Sequence, residues 1–354
     1  MPLPSRYRAE PDPTHGLAAT TGVLLCNLGT PDEPTPAAVR RYLRQFLSDP
    51  RVVEIPRAVW LPILYGLILP LRSSKSAAKY ATIWTPEGSP LKLWTQRQAT
   101  LLRGRLGEDG HRVQVRYAMR YGNPSIASQL DALKAEGATR ILVVTAYPQY
   151  SGTTTASVID DVTDWARGAR NVPELRFVNR YHDDPGYIEA LARRIGGSWR
   201  ENGPPDHFVM SFHGVPERTM KLGDPYSSEC LTTARLLAGR LGLAEGDYTV
   251  AYQSRFGRAK WLEPYTEPTL RALATKGVER VDVACPGFTS DCLETLEEIA
   301  QEGRDAFLES GGKDFRYIPC LNAEPAWIRA LGDITARNLA GWPTQVAETA
   351  SATL

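Results

Sequence analysis

Three short patterns occur twice in this chain, in the same order, and nothing else in the sequence restricts its fold as much. Leu28-Gly29-Thr30-Pro31 matches His213-Gly214-Val215-Pro216, and each follows an apolar run, 22–28 in the first copy and 209–212 in the second. Val115, Tyr117, Arg120, Tyr121 and Gly122 return at the same spacing as Val250, Tyr252, Arg255, Phe256 and Gly257. Residues 137–143 with Pro148, Tyr150 and Ser151 return as 277–283 with Pro286, Phe288 and Thr289. Three echoes in one order mean a duplicated unit. Each echo is an apolar or β-branched run stopped by Gly or Pro, and helical patterns such as 125–134 and 187–195 lie between them. Strands alternating with helices imply parallel sheets covered on both faces. The expectation is therefore an α/β chain of two similar doubly wound domains, with the strand ends of both opening on a shared cleft. Residues 1–20 form an arm, 21–185 the first domain and 186–340 the second. A helix near 326–339 crosses back, and a tail at 341–354 frays.

The copies differ in length. Gly29 and Gly122 are 93 residues apart, whereas Gly214 and Gly257 are 43 apart, so the first half carries an insertion, placed at about 42–95. It contains the longest apolar stretch, 58–71, which Pro62 and Pro70 interrupt and which is too short to span a bilayer. With Trp60, Tyr65, Trp84 and Trp94 beside Arg72, Lys75 and Lys79, it reads in two ways. It is either a satellite core under a long loop or a lip that covers a flat apolar ligand and rests on a membrane surface. Composition sets further limits. A content of 42% hydrophobic and 23% charged residues describes a globular chain, and a net charge of +1 argues against nucleic acid held by bulk electrostatics. The five cysteines are scattered without a C-x-x-C pair, so neither a disulfide framework nor a four-cysteine metal site is indicated. The N-terminus shows no charged-then-apolar signal pattern, and the expected location is cytoplasmic, with the lip at the inner membrane face as an extension of that reading.

Two places concentrate chemistry. His213 stands at the C-terminal end of a strand pattern, where open α/β sheets bind ligands. After the third strand of the second copy, Ser290 or Asp291 suits a helix N-cap, and Glu294, Glu298 and Glu302 follow at i, i+4 and i+8 on one α-helical face. That stripe is either a solvated face or a carboxylate track leading a cation or protons along the cleft. An imidazole and a carboxylate at one cleft suit divalent iron or proton abstraction.

These residues resemble the ferrochelatases, members of the class II chelatase family, which insert ferrous iron into a porphyrin. The resemblance runs from Gly22 to Asn322. It is carried by 28–31, Gly88-Ser89-Pro90, 119–122, 147–151, Ser211-Phe212-His213-Gly214-Val215-Pro216, 252–255 and 288–296. It implies two Rossmann-like halves with an extended lip on the first. Residue by residue it makes His213 and Glu294 the catalytic and metal-binding pair, with the histidine either an iron ligand or the acceptor of the pyrrole protons. Leu28, Arg120, Tyr121 and Trp261 would line the porphyrin pocket, Tyr42, Phe46 and Ser89 would belong to the lip, and Glu298 and Glu302 would continue an acidic relay. Arg120, Tyr121, Ser89 or Arg72 could hold the propionates. Cys292 stands where the animal enzymes have a second histidine, and the C-terminal tail has no cysteine, so no iron–sulfur cluster and no other cofactor is expected. Porphyrin and Fe2+ are the expected partners, and protoporphyrin IX the expected ring. The alternatives are coproporphyrin III, with four carboxylates, and a two-lobed tetrapyrrole-binding protein without catalysis. Chelatases for sirohydrochlorin share the fold, but their more polar substrate needs no apolar lip.

Overall fold

The computed structural model describes Tyr7, Arg8, Glu10, residues 19–257 and residues 259–345, so most of the expected arm and the tail from 346 lie outside the described residues. In the first half, β1 (Thr20–Thr30) is followed by α1 (Pro36–Ser48), α2 (Arg57–Ile63), a π-helical turn π1 (Leu64–Ile68), α3 (Leu69–Ile83) and α4 (Pro90–Glu108). Then come β2 (Val113–Gly122), α5 (Ile126–Ala135), β3 (Ala138–Thr145), α6 (Thr155–Arg167) and β4 (Glu174–Val178). After α7 (Pro185–Asn202) the second half runs β5 (His207–His213), α8 (Glu217–Lys221), α9 (Tyr226–Leu241), β6 (Tyr248–Gln253), α10 (Thr266–Thr275) and β7 (Arg280–Ala284). It ends with a second π-helix, π2 (Glu294–Gly303), α11 (Arg304–Glu309), β8 (Asp314–Ile318) and α12 (Pro325–Leu339).

The two sheets are all-parallel and have one topology, β2-β1-β3-β4 and β6-β5-β7-β8. The duplication read from the sequence is thus a duplicated sheet. Its strands are apolar throughout because both faces are covered. On β1, Val23 and Leu25 point into a core that also takes Phe208, Met210 and Phe212 of β5, while Leu24 and Cys26 point into a separate core under α5 and α6. Val209 of β5 faces a third core with Ile299 and Phe307. The central core is shared by both halves and is filled by α7 and α12, where Trp327 is 1% exposed and packs on Tyr181 and Tyr187. Burying each such aromatic side chain stabilises by roughly 2–3 kcal/mol. α12 does cross back, and Arg176 of β4 donates to the Asn338 and Ala340 carbonyls at its end. Of the tail expected to fray, residues up to 345 are packed: Trp342 is buried under the Arg176 guanidinium, and the Arg112 N–H donates to the Thr344 carbonyl.

The insertion is the set α1, α2, π1 and α3, from Pro36 to Ile83. The expected limits of 42–95 cut into α1 and took in the start of α4, which is the counterpart of α9. The insertion has two unlike sides. Its inner side is a satellite core of Leu47, Val53, Leu64 and Leu69, with Trp60 donating from its indole to the Leu47 carbonyl. Its outer side leaves Ile55, Val59, Ile63, Tyr65, Leu67 and Leu71 exposed. Pro70 brings no N–H to the carbonyl four residues back, and the turn before it is bonded i to i+5, Leu69 N–H to the Leu64 carbonyl. No helix among the described residues is long and apolar enough to cross a membrane.

Candidate active site

The C-terminal strand ends of both sheets open on one cavity of about 1000 Å³, counting the part open to solvent, where parallel sheets bind ligands. Each half brings a strand end and a loop to its wall. Asn27 and Leu28 come from β1, with Tyr147, Gln149, Thr153 and Thr154 from the loop after β3. His213 and Gly214 come from β5, with Phe288, Thr289 and Ser290 from the loop after β7. Phe46 of the lip and Trp261 complete a mostly apolar enclosure. The repeated glycine at the C-terminal end of the first strand of each copy is demanded by close approach. At Gly29, with φ at +111°, a Cβ would lie 1.8 Å from the Tyr121 carbonyl oxygen, and at Gly214 it would lie 2.9 Å from that of Gln253.

His213 ends β5 in register with Gln253 of β6. Its Nδ1 lies 2.6 Å from the Gly214 carbonyl oxygen. A carbonyl only accepts, so Nδ1 carries the proton, and in the neutral ring Nε2 keeps its lone pair. Trp261 and Phe288 flank the ring, each with centroids 6.4 Å away. Glu294, at the start of π2, lines the same cavity. Gln253 sets that start: it is 3% exposed, receives the Ser211 hydroxyl at 2.7 Å and donates to the Glu294 carbonyl at 2.6 Å. Sequence reasoning gave Gln253 no role. The signal was present, since the polar pair Gln253-Ser254 replaces Ala118-Met119 of the first copy.

The acidic stripe is corrected by the helix type. Residues 294–303 are π-helical, and bonding to i+5 brings residues five apart together. Glu302 therefore joins Glu297, not Glu294: both carboxylates hold the Lys79 ammonium of α3, at 2.8 and 2.9 Å. Burial pushes the Lys79 ammonium down, but the hydrogen bonds to Glu302 and Glu297 hold it above its ordinary value. Glu298 does not line the cavity and bonds to the turn after β6. Its carboxylate accepts from the Ser254 N–H at 2.6 Å and the Ser254 hydroxyl at 2.5 Å. Burial raises its pKa, and the Ser254 hydrogen bonds oppose the rise only in part. Ser254 has φ at +66°, a strained value for a residue with a side chain. Asp291 is not an N-cap. It is buried as a hub that accepts from Tyr317, Asn322 and Thr295.

The remaining expected residues divide. Leu28, Phe46 and Trp261 line the cavity, whereas Tyr42, Ser89, Arg120 and Tyr121 are not among its lining residues. Tyr42 is buried behind Phe46, and Ser89 precedes α4, also buried. Arg120 donates to Asp49 at 2.6 Å and to Ser157, and the Tyr121 hydroxyl donates to the same Asp49 oxygen at 2.7 Å. Burial would raise the Asp49 pKa, but the Ser157 hydroxyl, which donates to it at 2.6 Å, with the Tyr121 hydroxyl, the Arg51 N–H and the Arg120 charge, holds it below the ordinary value. This knot ties the end of α1 to β2 and α6, so Arg120 anchors the lip. Arg72 is exposed on α3. Cys292 lines the cavity, and burial raises its thiol well above the usual range. Among the described residues no group of three or more His, Cys, Asp or Glu side chains is placed to hold a metal ion.

Two equivalent parallel α/β lobes closing on one cavity define a class, and solved structures share it. SirB from Bacillus subtilis, solved with Fe3+, superposes with a TM-score of 0.55 at 12% identity, covering 91% of this chain and 96% of its own. The fold is that of the chelatases. The family is fixed by sequence: residues 20–339 match the ferrochelatase family model. A ferrochelatase of Polaromonas sp. is 67% identical over 96% of this chain and 94% of its own length, and one of Methylibium petroleiphilum is 66% identical over 97% and 94%. The chain belongs to the ferrochelatase family.

Proposed function

We propose that this enzyme inserts Fe2+ into protoporphyrin IX at the cavity between its lobes, with His213 and Glu294 as the groups that meet the metal and the departing protons. Family membership carries the reaction, and the shared cavity wall is what supports these two residues. The free-base ring loses two N–H protons as four Fe–N bonds form. The charge of the entering Fe2+ is therefore balanced without any redox step. With Nδ1–H committed to the Gly214 carbonyl, His213 offers Nε2 as ligand or base. A carboxylate at Glu294 replaces water on the incoming ion and offsets its charge. Glu298, held by Ser254 with a raised pKa, is suited to receive protons passed outward. The apolar wall of Leu28, Phe46, Trp261 and Phe288 supports a flat ring held by dispersion and burial. It suits a substrate with two carboxylates better than one with four.

We further infer that the outer face of the lip rests on a membrane, since six large apolar side chains lie exposed on one inserted element. The reaction is tested by mixing the protein anaerobically with Fe2+ and either protoporphyrin IX or coproporphyrin III and following absorbance. The expected result is iron insertion with kcat/KM at least about tenfold higher for protoporphyrin IX. Tight porphyrin binding without metal insertion would instead mark a binding protein.

A further inference from the structure

The helix before the second strand of each sheet reaches over to the opposite half. Gln98 on α4 lies 15 residues before β2 begins, and Thr233 on α9 lies 15 residues before β6, so they occupy matching positions in the duplicated unit. Both are 0% exposed. Thr233 accepts from Gln149, in the cavity loop after β3, at 2.9 Å. Gln98 donates from Nε2 to the carbonyls of Thr289, in the matching loop after β7, at 2.9 Å and of Asn322 at 2.8 Å, with the Ser290 hydroxyl at 3.1 Å. Each half therefore holds the cavity loop of the other.

From Gln98 the bonding continues to the acidic helix. The Asn322 N–H donates to the Thr289 carbonyl, its side chain takes the Asp291 N–H at 2.9 Å, and its amide donates to the Asp291 carboxylate at 2.6 Å. Asp291 accepts from Thr295, whose hydroxyl oxygen receives the Cys292 N–H at 3.0 Å. Thr295 is the residue after Glu294. The Gln98 Oε1 meets no donor among the described residues, so the amide acts through its N–H groups alone. Two donors on one arm meet two carbonyls, and an apolar replacement leaves the Thr289 carbonyl with the Asn322 N–H alone and takes from the buried Asn322 carbonyl the Gln98 donor. We propose that Gln98 is a positioning residue of the iron site, fixing from the first lobe where π2 begins and hence where the Glu294 carboxylate stands. The proposal rests on the reading of Glu294 as the iron-site carboxylate.

Steady-state kinetics with iron and porphyrin varied separately, on Gln98→Met, Gln98→Asn, Thr233→Val, Thr335→Val and Glu294→Gln, test it. Thr335 is a buried α12 hydroxyl far from the cavity loops in sequence, bonded to the Leu331 carbonyl, and reports a purely structural loss. Gln98→Met is expected to lower kcat/KM for iron by about tenfold, because small displacements at a reacting centre are costly, while the porphyrin KM stays within about twofold. Gln98→Asn keeps both donors on a shorter arm and should retain more of the iron kcat/KM. Thr233→Val should act on the porphyrin KM, and Thr335→Val on Tm alone. Where Gln98→Met does not fold, Gln98→Asn carries the test, with a smaller loss of iron kcat/KM expected at an unchanged porphyrin KM. Equal effects on both substrates, or iron kinetics like wild type with a lowered Tm, would overturn the proposal. Wild-type iron kinetics in Glu294→Gln would overturn the site assignment beneath it.

Discussion

Glu298 shows how a single residue can be tuned by its surroundings. It sits beside His213 and Glu294, half-buried, and burial disfavours its charge more than Ser254 restores it. A carboxyl whose folded pKa is raised contributes stability that is fully present below its ordinary value of 4.5 and is lost as pH rises through the folded value. Glu298→Gln removes that titration while keeping an oxygen for the Ser254 N–H. Thermal unfolding of this variant should therefore gain on wild type as pH is raised from about 4 to about 7, with the two converging at the acid end. Iron turnover should fall, because the proposed proton acceptor is gone. A constant difference in Tm across that range would mean that Glu298 does not titrate above its ordinary value. At this scale the sequence was informative but incomplete. It singled out His213, Glu294 and Glu298 as candidates, of which His213 and Glu294 line the cavity, whereas Gln253 and Gln98 bond to backbone carbonyls of distant segments, and no local pattern records such a bond.

At the scale of elements, the lip and π2 carry most of the difference between expectation and structure. Periodicity read residues 294–302 as an α-helix with one acidic face. Helix type depends on packing: Leu293 and Leu296 press against the lip helices, and Lys79 draws Glu297 and Glu302 to one side. The apolar run 58–71 was ambiguous for a physical reason, because both of its sides are apolar, one turned inward and the other outward. The structure separates Leu64, which is 0% exposed, from Val59 at 56% and Leu67 at 53%. Replacing Val59, Ile63 and Leu67 together by Ser should lower partition into lipid vesicles severalfold and leave Tm within about 2 °C. Leu64→Ala should instead cost about 2–5 kcal/mol of stability. Unchanged vesicle partition in the triple variant would leave the exposed face without its proposed membrane role.

Across the whole molecule, duplication is the feature that organises the rest. It was legible because three strand-end patterns survive in both copies, and the shared strand order follows from them directly. The patterns do not show how the copies are joined. Trp327 and Tyr187 build one core common to both sheets, and α4 and α9 exchange contacts between the lobes, so the cavity is assembled by both halves at once. We propose that this shared cavity performs metal insertion with His213 at its end of β5. The direct measurement is anaerobic Fe2+ insertion into protoporphyrin IX by wild type and His213→Ala, with porphyrin binding followed separately by fluorescence. The expected result is unchanged folding and porphyrin affinity with an insertion rate lower by at least about 100-fold, the scale of a lost general base or ligand. Near-normal turnover in His213→Ala would contradict it.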